Sequence, residues 1–425
     1  MIPIAAPDVG AREVERVREV IEGGHLVAGE EVAAFESAFA EYCDAAHGVA
    51  TSNGTTALHV ALSALGIGEG DRVVTTPFSF VATANAVRQC GATPVFADVD
   101  PETGTLDPDA VEAAVRDRDV DAILAVHLYG LPADLDRLGE IADDHDLRLI
   151  EDAAQAHGAE YDGQPVGSVG DAACFSFYPT KNLTTGEGGM VLTDDEGVAE
   201  RARRFVDHGR TGAHTFESVG HNFRLTNVAA AMGQVQLEKL DEYLAARRAN
   251  AERLTDALPP SVDPPPTPSG RRHAFNQYTV RATDRDHLAD HLADHGVGTR
   301  IYYPTPIYRQ PAYEGFEVVL ADGTTVTADR GGATGEGDSA AGYDGPGAAA
   351  PGGTHGRGSP RDRDGDDGTL RPVADRLAET VLSLPVHPGL TDEDLETVET
   401  ALRTYRPPTE AADRPADEPV VTDHE

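Results

Sequence analysis

Between Asp171 and Met190 the chain reads DAACFSFYPTKNLTTGEGGM, and no other stretch narrows the choice of fold as far. The apolar run Ala172 to Phe177 has the length of a buried strand, and Met190 to Thr193 is strand-like again. A turn carrying Lys181 and the Gly-rich segment Gly186 to Gly189 join the two. Lys181 is one of only two lysines in 425 residues; the other is Lys239, and arginine supplies the remaining basic side chains. A lysine kept on a turn between buried strands suits chemistry that arginine cannot do. A desolvated amine can lose its proton and form a Schiff base, whereas a guanidinium stays charged. A surface lysine beside a glycine turn is the plainer alternative, and the neighbouring motifs decide against it.

Upstream, Arg148 to Gly158 is a short apolar strand that ends in an acid, Asp152, with Gln155 three residues on. Further upstream, Ser52-Asn53-Gly54-Thr55-Thr56 is a Gly-Thr-Thr turn opening a helix, where backbone N–H groups and hydroxyls suit a phosphate. A lysine, a strand-end aspartate and a Gly/Thr cup are the three parts that bind pyridoxal phosphate. Six strings carry a wider likeness: NGTTAL, PVFADVD, VHLYG, EDAAQAHGA, SFYPTKNLTTGEGGM and GHNFRLTNVAAAMGQVQLE. Through them the chain resembles the DegT/DnrJ/EryC1/StrS family of sugar-nucleotide aminotransferases, from about Ile4 to Tyr405 with one interruption.

The resemblance implies an aspartate-aminotransferase-like α/β fold (PLP fold type I), with a large, mostly parallel-sheet domain and a smaller α+β C-terminal domain. It implies roles residue by residue. Lys181 would bind the cofactor covalently and later move the substrate proton. Asp152 would meet the pyridine nitrogen and Gln155 the ring's phenolic oxygen. Gly54, Thr55, Thr56 and Ser176 would hold the phosphate, and Phe80 would stack on the ring. Asn222 would reach the phosphate from a neighbouring subunit, making the working unit a homodimer with shared sites. Family members with histidine at the Lys181 position dehydrate sugars, and those with lysine transfer an amino group. The implied reaction passes an amino group from a donor, L-glutamate, to a keto carbon of a nucleotide-linked sugar for glycan or polysaccharide assembly. His127-Leu128-Tyr129-Gly130 is common in members acting at the sugar's C3, but C4 enzymes carry similar strings, so the position stays open.

One departure stands out. Where many members read Pro-x-Pro-Leu-His-x-Gln, this chain has Pro304-Thr305-Pro306-Ile307-Tyr308-Arg309-Gln310. Tyr308 replaces the histidine and Arg309 adds a charge, which points to a differently charged sugar such as a uronate. Arg224 can clamp a carboxylate or phosphate, or serve an internal ion pair.

The rest of the chain fits that architecture. Helices are expected over Ala11–Glu22, Val32–Tyr42, Thr55–Leu65, Val81–Cys90, Pro108–Val115 and Leu135–His145. Between the later ones, strands are expected over Arg72–Thr76, Thr93–Val99, Ala122–Leu128 and Arg148–Glu151, which argues a parallel sheet covered on both faces. Ligands of such sheets gather at the carboxyl ends of strands. A long helix, Thr226–Ala249, carries Lys239 on its polar side, and the Pro-rich 259–269 marks a boundary. The expected domains are 1–250, then 251–316 with 369–406, where a helix, the segment Ser383–Pro388 and a closing helix follow one another. Between them, 317–368 is Gly-, Asp- and Ala-rich, and it reads as a disordered insertion; 407–425 is an acidic tail.

Composition bounds the partners. With 73 acids against 34 bases the net charge is −39, which repels nucleic acid and anionic lipid and suits a halophile's salty cytoplasm. Cys43, Cys90 and Cys174 form no CxxC pair and read as buried free thiols. No apolar run reaches membrane length, so the chain is expected to be soluble and cytoplasmic. His287, His291 and His295 recur every four residues but read as a solvated stripe rather than a metal site. Other readings are a lysine-bearing dehydratase, a cyclitol aminotransferase, or a non-catalytic sensor, the last lacking any DNA-binding module here.

Overall fold

The computed structural model describes residues 1–327 and 371–408. Most of the expected insertion, and the tail from 409, therefore lie outside the described residues. The large domain is built on a nine-stranded sheet. Its strands are β1 His47–Thr51, β2 Arg72–Thr75, β3 Thr93–Ala97, β4 Ala122–Val126, β5 Arg148–Asp152, β6 Ala172–Ser176, β7 Gly189–Thr193, β8 Glu317–Val319 and β9 Thr325–Thr327. Their order across the sheet is β1-β7-β6-β5-β4-β2-β3-β8-β9. From β6 to β8 every neighbouring pair is parallel. The β7 strand runs antiparallel to both β6 and β1. Two reversals restore direction, so the end of β1 emerges at the same edge as the ends of β2, β4, β5 and β6.

Residues alternate between the two faces, as strand geometry requires. Ile150, Cys174 and Val191 join the core under helices Gly54–Ala64 and Glu196–Val206. Ala173, Phe175 and Leu192 join the opposite core with Phe35, Phe39 and Leu240 of helices Glu30–Tyr42 and Asn227–Ala257. The parallel-sheet expectation holds, with strand and helix ends displaced by a few residues. The long helix runs to Ala257 and leads into a three-stranded antiparallel sheet of Val262–Asp263, Tyr278–Ala282 and Val381–Leu384. That sheet packs with helices Arg285–Asp294 and Asp392–Thr404 in a core of its own.

The start of the disordered insertion needs correcting. Residues 317–327 form a hairpin, and Val318 and Val319 are buried beside β3. Asp98, just after β3, holds both flanks of the intervening stretch. Its backbone N–H donates to Val319 O at 2.8 Å, and its carboxylate accepts from the N–H groups of Val373 and Ala374 at 2.7 and 3.1 Å. The histidine stripe is solvated at His287 and His295, both exposed, while His291 is partly covered. His291 Nε2 lies 2.9 Å from Ala401 O and His287 Nδ1 3.4 Å from the Tyr405 hydroxyl, so the stripe also borders the closing helix. Among the described residues no group of three His, Cys, Asp or Glu side chains is placed to hold a metal ion. No described helix is long and apolar enough to cross a membrane. Cys43 and Cys174 are buried and Cys90 is half-buried, all three free.

Candidate active site

The carboxyl ends of β2, β4, β5 and β6 and the end of β1 meet at one edge of the sheet, where most of the expected residues collect. Lys181 sits on the turn between β6 and β7, its N–H bonded to Tyr178 O at 2.9 Å. Thr185 N–H and Thr184 Oγ1 both donate to Phe177 O, at 3.0 and 2.9 Å, so the turn is tied from inside. Burial pulls the Lys181 amine down from 10.5 to about 8, against the pull of the Asp152 charge. That is the environment in which a lysine can be a neutral nucleophile near neutral pH.

Asp152 ends β5 and is 4 % exposed. Burial raises its pKa. Opposing this, Thr83 Oγ1 donates to Oδ2 at 2.8 Å, the Ala154 N–H donates to Oδ1 at 3.3 Å, and Lys181 and His127 add favourable charge. Gln155 is buried and oriented from both ends. Its Oε1 accepts from the Tyr129 N–H at 2.6 Å, and its Nε2 donates to the Tyr303 hydroxyl at 3.1 Å. Tyr129 has φ 60°, in the left-handed region that costs a bulky residue energy, and strained residues of this kind cluster at functional sites. Gly130 follows at φ 100°, and a Cβ there would lie 2.9 Å from Gln155 O. The bend that aims Tyr129 N–H at Gln155 therefore requires glycine next to it.

Phe80 is not core: it is 58 % exposed, while Phe78 beside it is buried. Its ring lies 6.2 Å from that of Tyr303. At the phosphate cup, a Cβ on Gly54 would fall 2.6 Å from Ser176 Cβ, so only glycine lets the helix start approach the end of β6. Asn53 and Thr56 form a reciprocal cap. The Thr56 N–H donates to Asn53 Oδ1 at 2.9 Å, and the Thr56 hydroxyl donates to Asn53 O at 2.8 Å. Thr56 is thus engaged in building the helix start, and the neighbouring Thr55 hydroxyl takes no part in this cap.

Asn222 is not brought to Lys181 by contacts within the chain. It is exposed, accepts from Arg224 Nε at 3.1 Å and bridges Asp207 through its backbone. Arg224 pairs with Asp207 at 2.8 Å, which selects the internal ion pair among its alternatives. Arg309 is also corrected. It grips Asp375 with two bonds, both 2.6 Å, and the Tyr308 hydroxyl donates to the same carboxylate at 2.8 Å. The residues that suggested a charged sugar are joined to each other across the interruption, with Asp375 only 3 % exposed.

Three features were missed. Thr83 and Tyr303 touch Asp152 and Gln155 directly. A fully buried pair, His127 Nε2 and Glu151 Oε2 at 2.9 Å, underpins the same edge. The His127 Nδ1 accepts from Ala133 N–H, so in the neutral ring Nε2 carries the proton and donates to Glu151. Glu151 also takes the N–H groups of Gly167, Val169 and Gly170.

Known proteins are similar to this chain in sequence and fold. The chain is 42 % identical over 323 residues to GDP-perosamine synthase of Caulobacter vibrioides, covering 73 % of this chain and 86 % of that one. It is 43 % identical over 307 residues to the pleiotropic regulatory protein of Geobacillus stearothermophilus, covering 71 % and 82 %. The solved structure of Streptomyces venezuelae DesV in complex with a ketimine intermediate matches with TM-score 0.78 and 35 % identity, over 96 % of this chain and 95 % of that one. A sequence model of the DegT/DnrJ/EryC1/StrS aminotransferase family matches residues 7–330. With that span and these relatives, the chain belongs to the DegT/DnrJ/EryC1/StrS aminotransferase family.

Proposed function

We propose that this sugar aminotransferase carries pyridoxal phosphate and moves an amino group from L-glutamate to a keto carbon of a nucleotide-linked sugar. The observation that carries the reading is Lys181, held by burial at about 8 beside the buried Asp152. The residues present fit the cofactor: the Gly54–Ser176 approach leaves a cradle a Cβ would fill, and Phe80 offers an uncovered ring. Gly54, Thr55, Thr56 and Ser176 would hold the phosphate, chiefly through helix-start N–H groups since the Thr56 hydroxyl is engaged. Asp152 would hold the ring nitrogen, Gln155 the ring oxygen and Phe80 the ring face. Asn222, exposed in its own chain, would reach the phosphate of a second copy in a homodimer. When bound, the cofactor supplies an electron sink for the carbon whose proton is moved. Lys181, neutral in part near pH 8, is the group that accepts and returns that proton.

The nucleotide-sugar acceptor is supported by the perosamine-synthase relative, and a cytoplasmic, high-salt setting by the charge of −39. The first test is the visible absorption spectrum of the purified protein in high salt, before and after L-glutamate. A yellow band that glutamate bleaches is expected. A band untouched by glutamate would move the reading to another donor or to dehydration. No band with added pyridoxal phosphate would leave a sensor, the reading that the name of the Geobacillus relative favours.

A further inference from the structure

The turn after β2 faces two ways. Phe80 points its ring outward, while Ser79 on the same turn and Thr83 in the first turn of the following helix, Ala82–Gln89, are 4 % and 2 % exposed. Their hydroxyls form a chain with one direction. Ser79 Oγ donates to Thr83 Oγ1 at 3.0 Å, and Thr83 Oγ1 donates to Asp152 Oδ2 at 2.8 Å. The single Ser79 proton is shared with Phe80 O at 3.1 Å, and the Thr83 N–H donates to that carbonyl at 3.2 Å. Thr83 therefore ties Phe80's backbone, through its N–H, and the Asp152 carboxylate, through its hydroxyl, together. A hydroxyl that already accepts from a neighbour is held with its own proton outward, towards the carboxylate. The other carboxylate oxygen, Oδ1, has a long 3.3 Å bond from Ala154 N–H, so it is the oxygen with room for a stronger donor.

We propose that Thr83, backed by Ser79, is a positioning residue for the transamination. Its hydroxyl holds Asp152 as an oriented carboxylate for the ring nitrogen of the pyridine cofactor. The inference rests on the cofactor reading above. It adds a residue that acts through Asp152 and touches no substrate. Valine keeps the shape of threonine and removes only the hydroxyl, so Thr83→Val isolates the bond. A hydrogen bond to a charged group is worth on the order of a tenfold or greater change in an equilibrium constant.

Pyridoxal phosphate affinity of the apoprotein is to be measured by titration of the visible band and by calorimetry. It is to be repeated with the 1-deaza analogue, which has CH in place of the ring nitrogen. Thr83→Val is expected to weaken pyridoxal phosphate by about tenfold or more, Ser79→Ala by about threefold, and Thr83→Ser by less than about threefold. For the deaza analogue, wild type and Thr83→Val are expected to bind alike. Equal pyridoxal phosphate affinity in wild type and Thr83→Val would overturn the proposal. So would an equal loss for both ligands, since it would mark a structural role. If the valine variant does not fold, Ser79→Ala with the same two ligands decides by the same rule. A wild-type protein that fails to bind pyridoxal phosphate sinks the cofactor reading itself, and needs no variant to show it.

Discussion

The two lysines of this chain occupy opposite electrostatic worlds. Lys239, on the long helix, lies 2.6 Å from Glu13 Oε1 and 3.6 Å from Asp8 Oδ2. Glu13 has no exposed side-chain surface and also accepts from Gln236 and from the Gly10 N–H. Its burial, which raises the pKa, is outweighed by these bonds, and the carboxyl is pulled from 4.5 to about 2. Every charge there has a partner. Among the described residues Lys181 has no ion pair; Asp152 is near enough to be felt, but burial wins and the amine falls to about 8. A matched ion pair fixes structure, and an unmatched amine keeps a proton equilibrium available for chemistry. Lys239 lies on a polar side of its helix, with Gln236, but Glu13 covers that side: the lysine side chain is 15 % exposed and locked.

The largest effect should separate the two sites by activity. Lys181→Ala, and equally Lys181→Arg, is expected to lower kcat by about 10³-fold or more, because proton transfer and covalent attachment vanish together. The thermal midpoint should stay at or above that of wild type, and an active Lys181→Arg would break the contrast. Lys239→Met should do the reverse. Leaving Glu13 buried and unpaired is expected to cost about 3 kcal/mol in denaturant unfolding, with kcat per folded molecule unchanged. Lys239→Arg, which keeps a charge, should cost much less.

Acidity sharpens the same contrast. Glu13 has a lowered pKa, so its stabilisation is complete above about 4.5 and is lost as pH falls towards about 2. Acid unfolding of wild type should therefore show a component in that window that the Glu13→Gln variant lacks. Lys181 has a lowered pKa as a base. Its charged form is penalised in the fold, so stability should rise as pH climbs from about 8 to 10.5, and Lys181→Met should remove that rise. Smaller still, Phe80→Ala should weaken cofactor binding several-fold while shifting unfolding by no more than about 0.5 kcal/mol, since the ring is exposed.

Much of this was legible in the sequence, for physical reasons. Strand runs of Val, Ile and Ala between amphipathic helices announce a covered parallel sheet, and Lys181 is conspicuous because lysine is otherwise nearly absent. Contacts between distant segments were not legible. Tyr303 reaches Gln155 from 148 residues away, and Thr83 reaches Asp152 from 69. Arg309 looked like a free charge because its partner, Asp375, lies beyond the interruption. The hairpin of β8 and β9 did carry a signal. Asp322-Gly323 sits between Val318-Val319-Leu320 and Thr325-Val326-Thr327, a turn pair flanked by strand formers, but the Gly-rich composition that follows outweighed it. The helix Glu196–Val206 was likewise unread, although Asp195 caps it in the usual way.

Because Asp98 holds Val319 on one side and Val373 and Ala374 on the other, the chain leaves and re-enters the large domain at two points pinned to one residue. Neither attachment point depends on residues of the span between 327 and 371, and loop-closure cost in general grows by only about 0.6 kcal/mol for each doubling of length. A variant with half that span keeps these bonds and should unfold within about 1 kcal/mol of wild type, whereas Asp98→Ala, which removes the bonds to Val373 and Ala374 but keeps the backbone bond to Val319, should lose more. Such a position acts as a splice point on the site's own edge of the sheet: the segment that re-enters there carries Ala374, Leu377 and Ala378, which pack with Phe78, Tyr129 and Tyr303.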